Sequence, residues 1–279
     1  MKVPGARIQQ LPVLQLEDKI DIKESANKYK FDYLIVPCVM SGRDIQEIKL
    51  TLSDEMKHCR VIAKIDSMDA VQNFETICKH ADGVVILRNE LAMEFEAEKL
   101  MIAQKWMTQT ANLMSIPVFL QSQVLESMIT NNLTGARQET MDISSSVIEG
   151  ADVFILSHET SQGKFAVDAT VLLAKAIAEA EAVYDHELVF QELRNIAKEQ
   201  GNKGSAVDML CTTATQIAID NNVDLFICLT ETGNVARSLA KQKPMQTILA
   251  CCTQPQVVRQ VNTSRGVIGY KVPVYIRRH

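Results

Sequence analysis

The chain has 279 residues, 47% of them hydrophobic, which gives room for one large or two medium domains with sizeable cores. A net charge of −5, with acids and bases interspersed, lacks the basic stripe of a nucleic-acid binder, and no stretch approaches the ~18 apolar residues of a membrane span. Seven cysteines are scattered without C-x-x-C spacing and the opening M-K-V-P-G-A-R has no apolar signal core. A reduced, cytoplasmic chain is therefore expected, either soluble or part of a cytoskeletal or other large assembly.

Residues 1–22, with Pro4-Gly5 and Leu11-Pro12, read as an extended lead-in and a turn. Five apolar runs follow, at 32–39, 61–65, 83–87, 117–120 and 152–156, each with the texture of a buried parallel strand. Helix-length segments separate them. Ser41-Gly42-Arg43-Asp44 breaks the first run and 45–52 reads as a helix. Across 69–80, Val71, Phe74, Ile77 and Cys78 share one helical face. The stretch 96–114 carries Leu100, Ile102, Ala103, Trp106, Met107 and Ala111; helices are also predicted near 142–149 and over 167–184. Strand starts recur every ~20–35 residues, the size of a βα unit.

After Tyr184 the texture changes. A helix over 188–198, the polar break E199-Q-G-N-K-G-S and a helix over 206–221 precede a strand at 224–229. The loop T230-E-T-G-N leads to a helix over 235–241, a strand at 247–250, a short helix over 256–261 and a last apolar segment from Gly266. The expected organisation is a unit of parallel strands over 1–186 and a smaller α/β domain over 187–279.

Polar residues stand at the C-terminal ends of the first-unit strands: Lys64 and Asp66, Arg88 and Glu90, Ser122, then Ser157 and Glu159. In a parallel α/β barrel that rim holds the chemistry. A barrel of this type needs eight strands and five are visible, so an incomplete barrel is expected. Each rim residue also has a plainer reading. Lys64 is either a phosphoryl clamp or a strand-end lysine paired with Asp66 or Glu90. Those two acids are a metal pair or solvated carboxylates, and the Ser122 hydroxyl can serve local backbone. His158 beside Glu159 reads as structural or exposed, Cys38 as a buried thiol, and Met101, Met107, Met114 and Met128 as core filler.

The ordered series K64-I-D, L87-R-N-E-L, A97-E-K-L-M-I-A-Q-K, S122-Q-V-L-E-S-M-I, G150-A-D-V-F-I-L-S-H-E-T and F190-Q-E-L-R resembles the pyruvate kinase family along nearly the whole chain. That resemblance implies a TIM-type barrel represented by its strands four to eight, without the inserted small β domain, followed by the family's C-terminal α/β domain without its last two strands. It also implies glycolytic phosphoryl transfer from phosphoenolpyruvate to ADP with Mg²⁺ and K⁺, in which positioning and charge neutralisation do the work.

The motifs depart from the family pattern at informative places. Lys64 stands where the family places its phosphoryl-binding lysine, but the metal glutamate of K-I-E is Asp66. In A-R-G-D-L-G the arginine is kept as Arg88, the glycine that lets substrate approach the backbone is Asn89, and the metal aspartate is Glu90. The catalytic threonine is Ser122, and S-F-I-R has become Pro37-Cys38-Val39-Met40. The sugar-phosphate effector loop T-K-S-G-R-S corresponds to Thr230, Glu231, Thr232, Gly233, Asn234 and Val235, where Glu231 disfavours a phosphate. With both metal carboxylates resized and the early-strand ligands for nucleotide and K⁺ not matched in this sequence, the expectation is a catalytically inactive chain. It would bind neither cation and serve as a scaffold, with an active enzyme fragment or subunit as the alternative. Open barrel edges at 32–39 and 152–156, with interior side chains left wet, lead to the expectation of a protein partner or self-association.

Overall fold

A computed structural model describes residues 13–52, 56, 58–132, 137–199 and 205–273. It divides between Tyr184 and Asp185 into two compact units.

In the first unit α1 (Leu16–Tyr29) is a helix where the lead-in expected over 1–22 would end, and the Pro4-Gly5 and Leu11-Pro12 part of that reading lies outside the described residues. Glu17 and Asp18 in its first turn and Lys28 in its last complement the helix dipole, and the Asp18 carboxylate accepts the Gln15 amide at 2.8 Å. β1 (Tyr33–Val36) is half the predicted length. Pro37 lacks an amide for the ladder, and Cys38 turns to φ +57°, out of extended backbone.

α2 (Gly42–Thr51) starts in a capping box between Ser41 and Asp44. After β2 (Arg60–Ile65), the single helix expected over 69–80 is two, α3 (Met68–Gln72) and α4 (Phe74–Cys78). The break falls at Asn73, whose side-chain amide donates to the Met40 carbonyl at 2.9 Å. The predicted apolar face survives, with Val71, Phe74, Ile77 and Cys78 all buried.

β3 (Gly83–Leu87) runs directly into the short α5 (Arg88–Leu91). Then come α6 (Ala97–Leu113), β4 (Val118–Gln121), α7 (Arg137–Ile148), β5 (Val153–Ile155), α8 (His158–Ser161) and α9 (Ala166–Ala182). The five strands form one all-parallel sheet in the order β1-β2-β3-β4-β5, so β1 and β5 are its edges, as expected.

One face of the sheet packs Val61, Ala63, Ile65, Val84, Ile86, Val118 and Leu120 against Ile45, Ile48, Phe74, Ile77, Leu91 and Met107 of the helices. The opposite face, expected to be wet, is packed at its centre. Ile62, Val85 and Phe119 are buried and cluster with Tyr33, Val153 and Ile155. Gly83 makes this possible: a Cβ there would lie 3.2 Å from the Phe119 ring and 3.3 Å from Ile62. Each such burial contributes about 1.5–3 kcal/mol. Exposure on that face is confined to the edge, at Ile35. Met107 and Met128 are core residues as expected, but Met101 is exposed on α6 beside Ile102 and Trp106.

At the N-terminal end of β3, Asp82 accepts from Lys49 (2.8 Å), Arg60 (3.0 Å) and the Val61 amide (3.0 Å), joining α2, β2 and β3. Burial pushes its carboxyl up, but the Lys49 hydrogen bond, the two cations and the amide outweigh that, and the pKa falls below the usual aspartate value.

The second unit holds α10 (His186–Glu199), α11 (Ala206–Asp220), β6 (Leu225–Leu229), α12 (Asn234–Lys241), β7 (Thr247–Cys252), α13 (Pro255–Val261) and β8 (Val267–Lys271). α11 begins in a Ser205–Asp208 capping box. Its sheet is parallel, in the order β6-β7-β8. One face is covered: Cys228, Ile248, Ala250, Cys252 and Val267 pack with Cys211, Ala236, Leu239, Val257 and Val261. β7 extends the apolar run 247–250 through the adjacent pair Cys251-Cys252, which ends the strand as that pair's place after the run leads one to expect.

Candidate functional site

The rim residues sit where the strand pattern places them, and several of them bond to neighbouring loops and strand ends. Lys64 is on β2 with its side chain on the Ile62 face, by the two-residue alternation of a strand, and is half-buried. Asp66 follows one residue after β2, is buried, and its Oδ2 accepts the Cys38 amide at 3.0 Å. The carboxylate thus holds the left-handed turn that ends β1. Cys38 itself is exposed, contrary to the buried thiol expected, because that turn carries it out of the strand.

Arg88 is buried and spans the ends of two strands. Its Nε donates to the Ser122 carbonyl at 3.0 Å, its Nη2 to the Gln123 carbonyl at 2.6 Å, and its Nη1 pairs with Asp142 on α7. Ser122 and Gln123 both have positive φ, +71° and +53°, and their carbonyls are the ones that Arg88 fastens. Two successive non-glycine residues in that region are costly, so a fixed partner is required. Arg88, a substrate candidate by sequence, thus fastens the loop bearing Ser122.

Asn89 is exposed, and its amide donates to Glu126 Oε1 at 3.2 Å; the Gln123 amide donates to the same oxygen at 3.2 Å. Glu90 on α5 is partly exposed. The Glu159 carboxylate is buried and accepts the Ser157 amide at 2.7 Å, while the Ser157 hydroxyl accepts from Gln121 at 3.1 Å, joining the ends of β4 and β5. His158 is exposed. Sequence reasoning missed Glu126 and Asp142. Glu126 had a signal, because it lies three residues after Gln123, the spacing at which a carboxylate reaches back to an amide. Asp142 had none, since only the fold brings α7 beside α5.

The rim therefore offers one lysine and three carboxylates, Asp66 and Glu90 at the ends of neighbouring strands and the buried Glu159 after β5. Among the described residues there is no group of three or more His, Cys, Asp or Glu placed to hold a metal ion.

In the second unit, the Thr230 hydroxyl accepts the Gly233 amide at 2.9 Å and Gly233 takes φ +81°. A Cβ at Gly233 would lie 2.8 Å from Val261. Thr232 and Glu231 are exposed, and Asn234 accepts from Arg237 one turn along α12. Among the described residues no helix is long and apolar enough to cross a membrane.

Residues 1–170 match the family model "Pyruvate kinase, barrel domain" and residues 208–277 match "Pyruvate kinase, alpha/beta domain". A pyruvate kinase of Eimeria tenella is 34% identical over 275 residues, covering 99% of this chain and 51% of that protein. One of Dictyostelium discoideum is 32% identical, covering 97% and 53%. A crystal structure of pyruvate kinase from Cryptosporidium parvum superposes with a TM-score of 0.91 at 33% identity, over 98% of this chain and 56% of that one. The chain spans about half the length of the curated relatives it matches. With a parallel barrel sheet carrying K-I-D and R-N-E-L at its rim, a second parallel sheet in the other unit and both domain models matched, the chain belongs to the pyruvate kinase family.

Proposed function

We propose that this chain is a catalytically silent member of its family that serves as a structural component of a larger protein assembly. The observation that carries this reading is the Asp66–Cys38 hydrogen bond. It commits one oxygen of the shortened metal carboxylate to backbone. Mg²⁺ demands near-octahedral geometry at ~2.0–2.1 Å, and a methylene removed at Asp66 and added at Glu90 displaces both ligands. We expect the Mg²⁺ site to be weak or lost. Asn89 adds a side chain where the family's substrate carboxylate meets a glycine backbone, and that side chain is held by Glu126. The loop Thr230–Gly233 is closed on its own amide and carries Glu231, which opposes an effector phosphate. β1 and β5, the edge strands of the sheet among the described residues, suit a partner chain lying against the barrel side.

A second reading has support in Lys64 and the Ser122 hydroxyl, which retain the phosphoryl-binding cation and an alcohol. It makes the chain part of an active enzyme that transfers phosphate from phosphoenolpyruvate to ADP. A coupled assay of the purified chain with Mg²⁺ and K⁺ separates the two. The first predicts no turnover above the blank; a rate in the ordinary range of about 1–100 s⁻¹ establishes the second.

A further inference from the structure

We draw no further inference here: the strongest candidate, the apolar stripe of Met101, Ile102 and Trp106 along α6, is a helix face left exposed, and nothing in the structure shows what covers it.

Discussion

Asp66 at the end of β2 accepts the backbone amide of Cys38 at the end of β1, at 3.0 Å, across two strands paired in parallel. The acid that the family motif marks as a metal ligand thus terminates its neighbouring strand. Asp66→Ala leaves that amide without its buried acceptor and should cost about 1–3 kcal/mol in a urea titration. A solvated rim carboxylate would change stability by no more than about 0.5 kcal/mol, and that smaller result would mean the hydrogen bond is not structural.

Asp82 supplies the clearest pH dependence. Its folded pKa is depressed, so its contribution is present in full above the ordinary aspartate value and is lost as pH falls through the folded one. Asp82→Asn should lower stability at neutral pH by about 1–3 kcal/mol and flatten the acid limb of the stability curve. Urea midpoints for both proteins, taken from neutral pH down to the lower carboxylate range, check this. Parallel curves would contradict it.

The strands were legible because runs such as V61-I-A-K-I and G83-V-V-I-L carry their buried faces in plain sight. α1 was not, since Pro4, Gly5 and Pro12 dominate a reading of residues 1–22 and its helix signals lie in charged termini. The break at Asn73 depends on the Met40 carbonyl, thirty-three residues away in sequence. The rim residues stand at strand ends, but the hydrogen bonds they make were not readable from residue types alone. Arg88 was readable as a substrate candidate, but its bonds to the Ser122 and Gln123 carbonyls were not, because they depend on a left-handed pair that only the fold creates.

The packing of the inner sheet face was also invisible in sequence, because it rests on Gly83 leaving room for Phe119. Phe119→Ala should therefore cost about 3–5 kcal/mol, the loss of a core aromatic. A thermal or urea melt reads it. A cost below about 1 kcal/mol would return this face to solvent.

Thiol chemistry should single out Cys38, the one exposed cysteine of seven. Burial, foremost, raises Cys59, Cys211 and Cys228 to about 11 and Cys78 to about 12, which suppresses their thiolates near neutral pH. Brief alkylation of the native chain followed by peptide mass spectrometry should label Cys38 first and the other six only on unfolding. Early labelling of Cys59 or Cys78 would contradict the packing described.

Whether the rim still holds a catalytic metal is read most directly by titrating the full chain with Mn²⁺ and following free ion by electron paramagnetic resonance. No binding is expected at micromolar Mn²⁺, and no difference between wild type, Asp66→Asn and Glu90→Gln. A micromolar site in the wild type that disappears in both variants would contradict that expectation.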